Sequence, residues 1–241
     1  MEKKPLRVIV GGGAGRMGRR LSALLAEDPR FVLTGGVVRT PEQARSLARC
    51  FTADALSAHL ERSDLLIDFS APQASVAFAS AAAKAGKPAV IGTTGLSALQ
   101  QAQLAALAKK VPLFAAANFS PGVHALLHLA EEAARLLGGF EVSLSETHHS
   151  RKKDSPSGTA LRLAQAVARA RGGKLPEIVS QRVGDVVGDH ALTLAGKDER
   201  LELVHRAQSR DVFARGAMDA ALWLRRRRPG LYGMDDLLRA R

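Results

Sequence analysis

The sequence predicts an α/β chain: a doubly wound parallel sheet at the N-terminal end, joined to a second, smaller α+β domain. Three observations predict it. Short apolar runs alternate with helical patterns from Leu6 to Ala117. Gly, Thr, Ser and Asn gather where those runs end, as in Gly92-Thr93-Thr94-Gly95 and Asn118-Phe119-Ser120, which is where doubly wound sheets bind ligands. After Gly138-Gly139 the alternation gives way to strand-like runs in succession.

Leu6–Val10, apolar after a charged start, reads as a buried strand. Leu21, Leu24 and Leu25 then recur at helical spacing, and Asp28-Pro29 ends that helix. Phe31–Val38 is the second strand. Pro41–Arg62 predicts a helix, a short connection and a second short helix. Leu65–Phe69 is a strand, and Pro72 opens an Ala-rich helix that ends near Gly86. Ala89–Ile91 is a strand, Ser97 caps a helix through Lys110, and Leu113–Ala117 is a further strand. Gly122–Leu137 is a long helix. Phe140–His148 is a strand in which Val142 and Leu144 alternate with Ser143 and Ser145. Ser157 caps a helix that runs to Arg171 and stops at Gly172-Gly173. Ile178–Val183, Asp189–Ala195 and Leu201–Arg206 are strands with glycine turns between them. Arg210–Arg226 returns to helix, with Phe213, Ala217, Ala220, Ala221 and Leu224 as its apolar stripe; Gly230–Tyr232 and Met234–Leu238 follow. The expected domains are 1–119, completed by 211–241, and 120–210.

Composition narrows the function classes. A chain of 241 residues has room for two cores. The single cysteine, Cys50, excludes an internal disulfide and any multi-cysteine metal site, and it fits a reducing, cytoplasmic setting. Lys and Arg number 35 against 23 Asp and Glu, a net charge of +12 that attracts anions. With aromatics at 4% and no zinc-finger or RNP-like pattern, specific nucleic-acid binding is not expected; the Arg225–Arg228 run keeps a nucleic-acid module as a rival reading. Two uncharged stretches, 88–108 and 111–130, approach the length of a membrane span. Gly92, Thr93, Asn118 and Pro121 interrupt them, so they read as strand–loop–helix units of a soluble fold.

Two segments carry chemistry. Gly13-x-Gly15-x-x-Gly18, overlapped by Gly12-x-x-Gly15-x-x-Gly18, lies between the first strand and the first helix. Glycine is needed there for a tight turn and for close approach of backbone to a pyrophosphate. The second strand ends Val38-Arg39 with no carboxylate before Glu42. An acid would hold the ribose hydroxyls of NADH, whereas Arg39 suits a 2′-phosphate, so NADPH is expected over NADH. The other segment is Glu146–Leu161. It offers two histidines that titrate near neutral pH, a basic loop, and a helix start at which the N–H groups of Gly158, Thr159 and Ala160 form an anion site. On spacing alone it also reads as a basic surface loop with two solvated histidines. His124 and His128 lie four apart on one helix, yet no further ligand completes a set, so no metal is expected.

These residues resemble the 4-hydroxy-tetrahydrodipicolinate reductase (dihydrodipicolinate reductase) family. The resemblance runs nearly end to end. It rests on Gly12–Gly18, Asp68-Phe69-Ser70-x-Pro72, Gly92-Thr93-Thr94-Gly95, Ala117-Asn118-Phe119-Ser120 and His205-x-Ala207-x-Ser209-Arg210. Its most specific string is His148-His149-x-x-Lys152-x-Asp154-x-Pro156-Ser157-Gly158-Thr159. The resemblance implies a Rossmann-like domain for a nicotinamide cofactor, and a second domain that binds a dicarboxylate substrate and builds a homotetramer. It implies reduction of the cyclic 4-hydroxy dicarboxylate of the lysine (diaminopimelate) pathway. Residue by residue, it implies His148 as the proton-transfer group, Lys152 as the second acid, His149 as a substrate contact, and Gly158 and Thr159 as the hold on a carboxylate. Gly12, Gly13, Ala14, Gly15, Arg16 and Met17 would cradle the pyrophosphate. Gly92, Thr93, Thr94, Ala116, Ala117, Asn118 and Phe119 would line the nicotinamide side. The chain departs from the family pattern at Arg39 and in a short 40–65 region. A related reductase of another amino-acid-derived dicarboxylate remains the nearest alternative.

Overall fold

A computed structural model of the chain describes residues 4–240. In chain order the elements are β1 (Leu6–Gly11), α1 (Arg16–Glu27), β2 (Phe31–Val38), α2 (Pro41–Ser46), β3 (Cys50–Thr52), α3 (Leu56–Glu61), β4 (Leu65–Asp68), α4 (Pro72–Lys84), β5 (Ala89–Ile91), α5 (Ala98–Ala108) and β6 (Pro112–Ala115). They continue with α6 (Pro121–Leu136), β7 (Glu141–His148), α7 (Gly158–Arg171), β8 (Glu177–Arg182), β9 (Asp189–Ala195), β10 (Arg200–Arg206), α8 (Asp211–Leu224), β11 (Gly230–Tyr232) and α9 (Met234–Arg239). The chain divides into two compact units, Met1–Phe119 with Phe213–Arg241, and Ser120–Val212. No helix among the described residues is long and apolar enough to cross a membrane.

The first unit is a seven-stranded sheet in the order β11-β6-β5-β4-β1-β2-β3, every pair parallel. Its central strands are apolar on both faces because both faces are covered. Val8 and Val10 join one core with Leu21, Leu24 and Leu25 of α1 and Ala217 and Ala221 of α8. Ile9 faces the opposite core, with Leu60 of α3, Phe78 of α4 and Leu104 of α5. Strand order reverses between β1 and β4, which are neighbours. The loops that follow these two strands therefore open side by side at the switch point.

Two segments differ from expectation. The connection inside Pro41–Arg62 is the strand β3, parallel to β2 through Gly36↔Cys50 and Val38↔Thr52. Gly230–Tyr232 is the edge strand β11 on β6. Each has three residues, too few to show a period; pairing with an existing edge makes them strands.

The second unit is a four-stranded sheet, β10-β9-β7-β8, antiparallel except for β7–β8, which α7 connects. Helices α6 and α7 cover one face, where Leu126, Ala130, Leu163 and Val167 pack on Leu144, Leu192 and Leu194. On the other face Val179, Ser145, Ala191 and Val204 form one row across all four strands. Val179 and Val204 are each 45% exposed in that row. Ser157 caps α7 by accepting from the Ala160 N–H, and Gly172 ends it in the left-handed conformation.

Candidate active site

In the first unit the glycine loop leaves β1 and turns back at once into α1. Gly12 has φ +76°, and a Cβ there would lie 2.7 Å from the Phe69 carbonyl oxygen, so both its backbone and its surroundings demand glycine. A Cβ on Gly18 would lie 2.2 Å from the Gly12 carbonyl oxygen, so only glycine lets α1 start this close to the loop. No side chain caps the N-terminus of α1 at Gly15. A helix start without a capping side chain, behind a loop of bare backbone, fits a pyrophosphate. Ala14 lies in the same turn, and Arg16 and Met17 are the first residues of α1. Arg39, exposed, follows β2 immediately, and its N–H donates to Gln43 Oε1 (3.1 Å).

The loops after β5 and β6 border a cleft of about 310 Å³ whose lining includes Thr93, Thr94, Ala116 and Ala117. Thr93 is fixed by donating its hydroxyl to the buried Asp68 carboxylate (2.8 Å). Gly92 is held against the Phe69 ring, 2.2 Å from where a Cβ would sit. Asn118 follows in the loop. Phe119 is 1% exposed, and its ring is taken up in the core between Phe69 and Phe114.

In the second unit β7 changes character along one face. Val142 and Leu144 pack inward, and the same period continues with Glu146 and His148, both buried. The register places His190 of β9 opposite Glu146, and Arg182 of β8 opposite His148. Glu146 Oε2 contacts His148 Nδ1. Its Oε1 accepts from Arg182 Nη2 (2.7 Å) and from the Ser157 N–H (3.3 Å). His190 Nε2 pairs with the Ser157 hydroxyl (3.2 Å), and its ring meets that of His148 edge-on at 5.2 Å.

Burial works to raise the Glu146 carboxyl, but Arg182 and His148 outweigh it and hold it below its ordinary range. Burial likewise pushes His148 below the usual histidine value, against the opposing pull of Glu146. His190 is pushed down to about 4, by burial first and by His148 next. The resting arrangement is an ionised Glu146 beside two neutral imidazoles.

Beyond β7, His149 is half-buried and its carbonyl accepts from the Lys152 N–H (3.0 Å). The Lys152 ammonium donates to both oxygens of Asp154 at 2.7 Å, while Lys153 is exposed, as is Arg151, which pairs with Asp185. Gly158 is exposed and Thr159 half-buried at the start of α7. One expectation is corrected here. The N–H of Ala160 is not presented to a ligand, because the Ser157 hydroxyl takes it at 3.2 Å; the cap and the anion site compete for one donor. His124 and His128 differ too: the first is buried in α6 and the second exposed.

Three residues of this network, Glu146, Arg182 and His190, receive no role from sequence reasoning. For Glu146 a signal exists, since the inward period of Val142 and Leu144 runs straight into it. Arg182 and His190 are joined to it only by strand register. Glu146, His148 and His190 bring three atoms that can ligate metals within 4.8 Å of one another. The Arg182 guanidinium already supplies the cation at Glu146, so the arrangement is suited to handling protons.

The chain matches family models for both halves of one protein: dihydrodipicolinate reductase, N-terminus, over residues 6–119, and dihydrodipicolinate reductase, C-terminus, over residues 122–238. A 4-hydroxy-tetrahydrodipicolinate reductase of Stenotrophomonas maltophilia is 43% identical over 240 residues, covering 99% of this chain and 100% of the relative. One of Nitratidesulfovibrio vulgaris is 42% identical over 255 residues, covering 95% and 98%. The dipicolinate-bound dihydrodipicolinate reductase of Paenisporosarcina sp. TG-14 shares the fold, with a TM-score of 0.82 at 22% identity over 96% of this chain and 99% of that one. Since both family regions occur in order and the similarity extends over almost the whole length, the chain belongs to the dihydrodipicolinate reductase family.

Proposed function

We propose that this protein reduces 4-hydroxy-tetrahydrodipicolinate to tetrahydrodipicolinate in lysine (diaminopimelate) biosynthesis, at the expense of NAD(P)H. The observation that carries this reading is the near full-length similarity to relatives that bear the activity's name. A bound nicotinamide would supply the hydride for C4 once the ring has lost its 4-hydroxyl as water, and a proton taken up by the ring would balance that hydride. Gly12, Gly13, Ala14, Gly15, Arg16 and Met17 hold its pyrophosphate. Gly92, Thr93, Thr94, Ala116, Ala117, Asn118 and Phe119 border its nicotinamide end. His148 exchanges a proton with the substrate through Nε2, the nitrogen left over from its contact with Glu146. Lys152 is the second acid, and its ammonium offsets negative charge that develops on the ring. His149 touches the substrate, and Gly158 and Thr159 take one carboxylate at the positive end of α7. The test is consumption of NADPH by the purified protein on freshly made condensation product, with tetrahydrodipicolinate identified by mass. If neither NADPH nor NADH is oxidised, the reading fails.

We infer further that NADPH is preferred, because Arg39 stands where an acid would favour NADH. Arg39→Ala is expected to raise KM for NADPH about tenfold, the scale of a lost charged hydrogen bond, and to change KM for NADH less than about twofold. Equal losses for both nucleotides would rule out a 2′-phosphate contact. The half-exposed row of Val179 and Val204, on the sheet face opposite α6 and α7, supports a homotetramer assembled there. Sedimentation at the mass of a single chain would exclude it.

A further inference from the structure

We infer that Glu146 is a positioning residue for the reaction: it fixes His148 as the tautomer with its proton on Nδ1 and presents Nε2 to the substrate. The inference rests on the reductase reading above for its kinetic part, but its structural part stands alone.

The geometry is local to one sheet. Glu146 and His148 are two residues apart on the inward face of β7, so their side chains lie side by side. The carboxylate is fully buried, with 0% of its side chain exposed, and it meets His148 at Nδ1. An ionised carboxylate can only accept, so Nδ1 must be the donor and the proton of a neutral ring cannot sit on Nε2. Arg182 at 2.7 Å and the Ser157 N–H at 3.3 Å hold the carboxylate in place, and Arg182 with His148 keeps it ionised. The same Arg182 nitrogen donates to the Asp154 carbonyl at 2.7 Å. One guanidinium thereby ties Glu146 to the loop that carries Lys152, whose ammonium is bonded to Asp154. On the Nε2 side the neighbour is Gly188, where a Cβ would come within 2.9 Å of that nitrogen. A residue without a side chain stands where the reactive nitrogen needs space.

The charged and titratable groups around His148 are Glu146 on its own strand, Arg182 on β8, His190 on β9 and Lys152 in the following loop. Only Glu146 favours the imidazolium; Arg182 and Lys152 oppose it, and His190, if charged, would too. When a proton leaves or joins Nε2, the compensating charge is the one already buried at Nδ1.

The test replaces the carboxylate by its amide. In Glu146→Gln the side-chain oxygen can still accept from Arg182, and the NH2 group then faces Nδ1 and forces the ring proton to Nε2. Nitrogen-15 NMR of the seven histidines, with His148 assigned by its absence in His148→Gln, reads the tautomer directly. The expected result is an Nδ1–H ring in the wild type and an Nε2–H ring in Glu146→Gln. With it, kcat falls roughly 10- to 100-fold, up to the lower end of what general acid–base catalysis contributes, because His148 itself is still present. KM for NADPH stays within about twofold. The limb of the pH–rate profile set by His148 moves to lower pH, because the group that raised its pKa is gone. Glu146→Asp, which keeps the charge, restores the Nδ1–H tautomer and returns that limb toward its wild-type position. A wild-type ring protonated on Nε2 overturns the inference whether or not Glu146→Gln folds. So does a Glu146→Gln enzyme with wild-type kcat and pH profile. If the wild type reduces no substrate, the functional reading falls and the tautomer result still decides the role of Glu146.

Discussion

Turnover by His148→Gln is expected to fall about 10²-fold or more, with affinity for NADPH unchanged within about twofold. Glutamine keeps a polar group opposite Glu146 but cannot exchange a proton near neutral pH. The size of the loss follows from what remains. His190 is neutral, with its pKa pushed down to about 4, and its Nε2 is occupied by Ser157, so it is a poor replacement donor. Lys152, assigned the other acid role, is held by both oxygens of Asp154 and does not take over the step of His148. The glycine loop and the Thr93–Ala116 cleft belong to the other unit, which is why nucleotide affinity is the control. Steady-state kinetics with NADPH, and nucleotide titration in the absence of substrate, check both halves. Survival of turnover would mean that the transferred proton comes from another group.

Gly216→Ala is expected to destabilise the first unit by about 2 kcal/mol or more, although alanine is the better helix former. Gly216 lies within α8, where Gly to Ala gains up to about 1 kcal/mol of helix propensity. Against this, the added Cβ would stand 1.9 Å from the Phe119 carbonyl oxygen and 2.9 Å from its carbonyl carbon. The obstacle is backbone, held in turn by a ring that is 1% exposed, so it cannot step aside as the end of a long side chain would. Overpacking of this kind costs about 1–3 kcal/mol and sometimes more, and the overlap is severe enough to place this case at the upper end. For a chain of this size each kcal/mol moves a thermal midpoint by roughly 2–4 °C. A midpoint equal to or above that of the wild type would show that α8 can move away from Phe119 at little cost.

The two substitutions mark different depths at which the molecule is legible. His148 stands out in the sequence by its string of neighbours. Gly216 is one helical glycine among ordinary residues, and only the approach of Phe119 from 97 residues earlier gives it weight. The difference lies in the range of the interaction that gives each residue its importance.

What the sequence by itself determined was whatever short-range physics controls. Apolar runs placed β1, β2, β4 and β5, glycines and prolines marked the turns, and Ser97 and Ser157 announced the helices they cap. The tight turn of Gly12 and the approach of Gly18 are local as well, so the glycine turn between β1 and α1 was readable before any fold was known. Only the tertiary structure decided the edge strands β3 and β11, whose three residues carry no period and become strands by pairing. It also decided which donor at the start of α7 is used up by its own cap. Above all it decided the company of His148. Glu146, Arg182 and His190 lie on three strands, and a one-residue slip in either pairing would turn a partner to the opposite face. Strand register is set by the packing of the whole sheet against α6 and α7, and no local stretch of sequence contains it.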